Sequence, residues 1–207
     1  MRHVPVCAVA LAAVAVACSN AGRGGEADIR PTYDKSTGRL TELTYDSNHN
    51  GHPDTWTEMD GARPVRNRID ENEDGTIDQW EYYDGQGKLV KVAFSRANNG
   101  KADAWAFPGE DGRVHRIEIS STGDENEIDR WEHYDDSGLV SAEEDTNADG
   151  VVDRWETYRN GVLVAVSFDE TGDGRVDRRL TYEDGALVAI ETDPDPAGNL
   201  TKRRAVK

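Results

Sequence analysis

Oxygen-bearing side chains stand at alternate positions in two short stretches of this chain. The first holds Asp70, Asn72, Asp74, Asp78 and Glu81, and the second holds Asp145, Asn147, Asp149, Asp153 and Glu156. A glycine, Gly75 or Gly150, occupies the sixth place of each. The chemistry this spacing suits is capture of calcium, a hard cation that takes roughly six to eight oxygens. Side chains at places 1, 3, 5 and 9, a carbonyl at place 7 and a bidentate acid at place 12 supply them around a sharp bend that needs glycine. Thr76 and Val151 would give the place-7 carbonyls, and Ile77 and Val152 at place 8 would anchor each loop to the strand after it.

Two further stretches keep the pattern and end without the acid, so they are expected to be weaker calcium sites. One has Asp46, Asn48, Asn50 and Asp54, with Thr57 at place 12; the other has Asp169, Thr171, Asp173 and Asp177, with Leu180 there. A third pair, starting at Ser95 and Ser121, lacks the early acids and reads as plain turns. Asp, Asn and Gly also favour turns with no ion present, because they tolerate left-handed backbone and cap their own amides. A turn needs one or two such residues, whereas the best two stretches have five oxygen-bearing side chains each at ligand spacing.

Other chemistries find little support. Carboxylates recur with the period instead of forming one preorganised cluster, and no Gly-flanked serine elbow or phosphate-cradling glycine loop is present, so no enzymatic activity is expected. His49 and His52 share the first acidic stretch and read as solvated loop residues. Acidic residues outnumber basic ones 41 to 24, for a net charge of -17, which disfavours nucleic acid as a partner.

The elements that position these residues are repeats. Aligned on the first acid, units start at Asp46, Asp70, Ser95, Ser121, Asp145, Asp169 and Asp193, a period of 24 to 26 residues, and Trp56, Trp80, Trp105, Trp131 and Trp155 keep the same register. A twelve-residue loop leaves about twelve residues per unit, broken by a glycine turn such as "RNG" or "DDSG", and two helices do not fit. What fits is a hairpin. The second run of each unit alternates, with Val164, Val166 and Phe168, or Val90, Val92 and Phe94, on one side. The expected fold is all-β: an antiparallel meander of about six hairpins, with acidic loops along one edge and glycine turns along the other. An open twisted or superhelical sheet is expected, with a closed barrel or shell as the alternative. Trp and Tyr three residues apart would face opposite sides, each side carrying an aromatic ladder. The row Trp56, Trp80, Trp105, Trp131 and Trp155 is a second candidate ligand face, for a sugar polymer or a protein, if it lies open to solvent.

These residues carry two resemblances. The segments "YYDGQGKLVKV", "HYDDSGLVSAEED" and "YDKSTGRLTELTYD" are similar to YD repeats, which implies hairpins building an extended β surface. The acidic loops resemble EF-hand-type loops, found also between strands in integrin-like propellers, which implies calcium binding without flanking helices.

The N-terminus has its own reading. Arg2 precedes the apolar run "VPVCAVALAAVAVAC", too short for a permanent span and ordered like an export signal. The run ends in "AVAC", residues 15–18, which resembles the lipobox of bacterial lipoproteins, with Ala15 where that family usually carries Leu. The resemblance implies lipidation of Cys18, anchoring to a membrane, and, with Ser19 next, an outer-membrane destination. Cys7 and Cys18 are the only cysteines, so the exported domain has no thiol for a disulfide. The expected organisation is a signal over 1–17, a lipid-anchored tether over 18–31, the repeat domain over 32–201 and a solvated basic tail over 202–207. Calcium would staple the acidic loops of a scaffold or, alternatively, be incidental to a surface adhesion module.

Overall fold

A computed structural model of the protein describes residues 29–206, so the expected signal, most of the tether and Cys18 lie outside the described residues. Fifteen strands follow one another in a single sheet, each antiparallel to its neighbour in sequence. They are β1 (Ile29–Tyr33), β2 (Leu40–Tyr45), β3 (Thr55–Asp60), β4 (Arg63–Ile69), β5 (Gln79–Tyr83), β6 (Leu89–Phe94), β7 (Ala104–Pro108) and β8 (Val114–Ile119). Then come β9 (Arg130–Asp135), β10 (Gly138–Glu144), β11 (Arg154–Arg159), β12 (Val162–Phe168), β13 (Arg178–Glu183), β14 (Ala186–Pro194) and β15 (Leu200–Ala205). The sheet is open: β1 and β15 are its two edges, and no helix occurs among the described residues. The all-β meander is as expected.

Both ends carry more structure than the repeat pattern implied. The fragment before Asp46 is a full hairpin, β1 and β2, and β1 takes in the last residues of the expected tether. The basic stretch is not a frayed tail, because β15 pairs with β14 from Ala189↔Ala205 to Pro194↔Leu200. Asp193, the expected start of a seventh loop, lies within β14, and the chain turns instead at Asp195, whose carboxylate accepts the Ala197 and Asn199 amides at 2.9 Å each.

The glycine turns are tight. Asn160 and Gly161, with φ of 51° and 73°, link β11 to β12, and Asp184 and Gly185 do the same for β13 and β14. Two successive left-handed residues match the twist of the flanking strands, which is why Asn-Gly and Asp-Gly stand there. Every such hairpin contains a bulge, always on its returning strand. Tyr158 pairs Leu163 while Thr157 pairs Ala165, leaving Val164 out of the ladder. Thr41, Val65, Val90, His115, Val140 and Val188 are skipped in the same way. The strict alternation expected through Val90 and Val164 is therefore broken by one residue. A bulge increases local twist, so seven of them on one side of a meander impose it periodically.

Residues opposite one another across the sheet form rows. One row runs Trp56, Arg68, Trp80, Ala93, Trp105, Glu118, Trp131, Glu143, Trp155, Ser167 and Arg179. Tryptophans thus recur on alternate strands, roughly 9–10 Å apart at a strand spacing of about 4.8 Å, with a different residue between each pair. The aromatic ladder is interleaved rather than continuous. Val92, Ala93, Ala104, Trp105 and Ala106 are buried together mid-sheet, and Ala142, Val166 and Ala189 are buried as deeply further along, where small residues let neighbouring side chains cover the backbone.

Candidate functional site

Six acidic loops lie along one edge: loop 1 (46–54), loop 2 (70–78), loop 3 (95–103), loop 4 (120–129), loop 5 (145–153) and loop 6 (169–177). Each is closed at its neck by a backbone bond, such as Asp78 N–H to the Ile69 carbonyl at 2.8 Å and Asp153 N–H to the Glu144 carbonyl at 3.0 Å. Each is also joined to the next: Asp70 N–H donates to the Asp54 carbonyl at 2.9 Å, Ser95 to Asp78 at 2.8 Å, and Ser120 to Asp103 at 3.0 Å. The sheet ladder thus continues into the loops and stacks them.

That bond corrects the alignment of the fourth unit. Ser120, not Ser121, occupies the first place, is 1% exposed and accepts the Gly123 amide at 3.0 Å. The extra residue of this unit lies inside its loop, between Ser120 and Asp129.

The carboxylates are aimed inward and take defined roles. Asp46, Asp70, Asp145 and Asp169, all at the first place, are 5–7% exposed. Each accepts the amide of the bend glycine, at 2.7, 2.9, 2.7 and 2.6 Å for Gly51, Gly75, Gly150 and Gly174. Burial pushes the Asp46 and Asp169 carboxyls up, but the convergent backbone amides outweigh it and hold both below the usual carboxylate range. Asp54, Asp78, Asp153 and Asp177, at the ninth place, fasten the loop entry by accepting the amides of Ser47, Glu71, Thr146 and Glu170. At places 3 and 5 the side chains fold the chain locally. Asn72 accepts the Asp74 amide at 2.9 Å and Asp74 accepts the Thr76 amide at 2.8 Å, with Asn147, Asp149 and Val151 repeating this at 2.9 Å. Asn48 and Asn50 do the same in loop 1, and Asp173 accepts Arg175 in loop 6, where Thr171 instead caps Asp169.

One oxygen is left over. Asp70 Oδ1 is buried and has no hydrogen-bond partner, although the carboxylate as a whole is only 5% exposed. In loops 1, 5 and 6 the equivalent oxygen takes the place-5 amide at 3.2–3.3 Å. No Lys or Arg ion-pairs with Asp46, Asp70, Asp145 or Asp169 among the described residues. Buried, unpaired carboxylate oxygen is costly, and a bound cation is one of the few things that relieves it.

The place-12 acids are not in the loops. Glu81 lies on the sheet face, where it accepts the Tyr83 hydroxyl at 2.6 Å and an Asn67 amide at 2.7 Å. Glu156, 6% exposed, accepts Tyr158 at 2.7 Å and Arg130 at 2.8 Å, and also pairs with Arg154. The reason is strand periodicity: a residue two places before a tyrosine shares its face, and these acids are already inside β5 and β11. Glu132 and Tyr134 repeat the pair in β9. Among the described residues, no three His, Cys, Asp or Glu side chains converge as a metal-binding group. The loops' oxygen donors are a mixture of Asp, Asn, Thr and backbone.

Residues that the repeat pattern does not single out sit at place 4. His49, Glu73, Asn98 and Ala148 have left-handed backbone, with φ between 48° and 62°. Glu73 of loop 2 reaches back to the amides of Asn48 and Asn50 in loop 1, and Asn98 of loop 3 reaches back to Asp74 in loop 2. A residue flanked by two Asx turns faces out of its own loop, and that was the available signal. As for the tryptophan row, Trp105 is 3% exposed and the other four are part-buried. The chain matches no family model and no curated protein sequence.

Proposed function

We propose that the protein is an exported, lipid-anchored, non-enzymatic scaffold whose acidic loops bind calcium along one edge of a β-repeat sheet. The observation that carries this reading is Asp70, a buried carboxylate with one oxygen on the Gly75 amide and the other unpartnered. Loops 2 and 5 have the richest donor sets and are the primary sites; loops 1 and 6 are weaker. With Glu81 and Glu156 engaged on the sheet, the within-loop set is the side chains at places 1, 3, 5 and 9 plus the Thr76 or Val151 carbonyl. A set short of its bidentate acid suits affinity of ~10⁻⁴ to 10⁻³ M, the range of extracellular modules. Calcium would neutralise part of a -17 chain and stabilise the folded state by mass action. The partial burial of the tryptophan row supports a packing role over a sugar-stacking platform.

Calorimetric titration with calcium is expected to release or absorb heat, and thermal unfolding is expected to shift up with calcium and back with chelator. An Asp70→Asn, Asp145→Asn double variant should lose most of both signals. A wild-type titration without heat, together with an unmoved Tm, rules the calcium reading out. For the anchor, Cys18→Ala is expected to release the protein from the membrane fraction, and a variant still found there contradicts lipidation at that residue.

A further inference from the structure

Loop 3 cannot hold a cation by the same chemistry as loop 2, since Ser95 and Ala97 stand where loop 2 has Asp70 and Asn72. It is nevertheless built to the same shape. Ser95 is buried and its hydroxyl accepts the Asn99 amide at 3.1 Å, standing in for the first-place carboxylate. Loop 3 also packs tightly on loop 2: a Cβ on Gly100 would come within 3.3 Å of Thr76 Cγ2, beside the place-7 carbonyl. From this position Asn98, left-handed at φ 48°, places its side-chain amide 2.6 Å from Asp74 Oδ2. Loop 2 meanwhile has the unpartnered Asp70 Oδ1 within it and has lost its place-12 acid to Tyr83 and Asn67.

Resting on the calcium reading of loop 2, we infer that this site is completed from the neighbouring repeat, with the Asn98 side-chain carbonyl supplying the oxygen that Glu81 does not. The ion-free contact is a donor contact: Asn98 Nδ2 gives its hydrogen to Asp74. A half-turn of the terminal amide exchanges nitrogen for oxygen without moving the backbone, and an amide oxygen is a good calcium ligand. Loop 3 thereby acts as the second half of a shared site. The boundary between loops 1 and 2 has the same direction of contact, through Glu73, whereas Gly123, Ala148 and Gly172 stand at that place in loops 4, 5 and 6 and carry no such donor.

The test is calcium titration of the purified protein, comparing wild type with Asn98→Gly, Asn98→Asp and Asp70→Asn. Glycine keeps the left-handed backbone and removes only the side chain, so folding of loop 3 is preserved. Asn98→Gly is expected to weaken one class of site roughly tenfold, at the low end of the cost of losing a supporting group at a metal site. Asn98→Asp is expected to restore or tighten that class, and Asp70→Asn to abolish it. If Asn98→Gly and wild type titrate identically while Asp70→Asn loses a site, the shared site is overturned and the loop-2 site stands. If wild type binds no calcium, both fall.

Discussion

At the scale of single residues, the loops are held by conformations that side chains do not favour. Ala148 sits at φ 60° in the place where loops 4 and 6 have Gly123 and Gly172 at φ 76° and 74°. A Cβ in the left-handed region costs about 1 kcal/mol or more, whereas glycine costs little there and loses more freedom on folding. The steric term is the larger, so Ala148→Gly is expected to raise stability by about 0.5 kcal/mol, read from the urea midpoint. A fall of the same size would mean that unfolded-state entropy dominates. These loop roles were partly legible in the sequence. Alternating Asp and Asn announced inward-facing oxygens, and Asp70, Asp74, Asp145 and Asp149 do face the loop backbone. A ligand role for Glu81 and Glu156 rests on a twelve-place pattern borrowed from helix-flanked loops. In a strand, their direction is set by period two, which puts them beside Tyr83 and Tyr158.

At the scale of elements, the recurring "WExY" run is the sheet's main polar fastening. Trp131 and Trp155 point to one face, and on the other Glu132 and Glu156 take their tyrosine hydroxyls and share Arg130 at 2.9 and 2.8 Å. Arg130 and Arg154 both reach Glu144 between them, so β9, β10 and β11 are tied by one charged cluster. Burial, then the Glu156 carboxylate, pushes the Tyr158 hydroxyl up to about 12, and raises Tyr83 and Tyr134 beside their own glutamates. A folded-state value above the unfolded value of about 10 gives stability that is complete below pH 10 and lost as pH rises towards 12. Urea midpoints are therefore expected to fall over that window, and Tyr158→Phe to fall less steeply than wild type. The difference between the two isolates this tyrosine from lysines titrating nearby, and equal slopes would sink the assignment. Strands and turns were legible from alternation and from "NG" and "DG". The bulges were not, because skipping Val90 or Val164 leaves the composition of the strand unchanged. Only the pairing of Tyr83 with Leu89 and Tyr158 with Leu163 reveals that one residue has been passed over.

At the scale of the whole molecule, each described strand hydrogen-bonds with its neighbours in sequence, so stability accumulates along one dimension and the two ends carry the risk. An open sheet offers two unpaired backbone rows that other chains could join. Pro31 interrupts the row on β1, since it has no amide to donate. On the other side Lys202, Arg203 and Arg204 crowd β15, and pairing two copies there would oppose like charges. The basic stretch, which composition alone suggested was a solvated tail, is thus a protective cap as well as a strand. Removing residues 195–207 would uncover β14, a nine-residue strand containing Val188 and Ile190 with none of those cations. Two effects then compete. The shortened chain is more acidic and its copies repel at low salt, while the exposed hydrogen-bonding edge favours association at any salt. Repulsion reaches about 10 Å at 0.1 M salt and only about 3 Å at 1 M, close to the separation at which strands meet, so screening decides the outcome. The truncated protein is expected to stay monomeric in dilute buffer and to associate with rising concentration in 1 M salt, by light scattering. Full-length protein should remain monomeric in both. Equal behaviour of the two chains at high salt, where charge repulsion is screened, would show that β15 does not guard the edge.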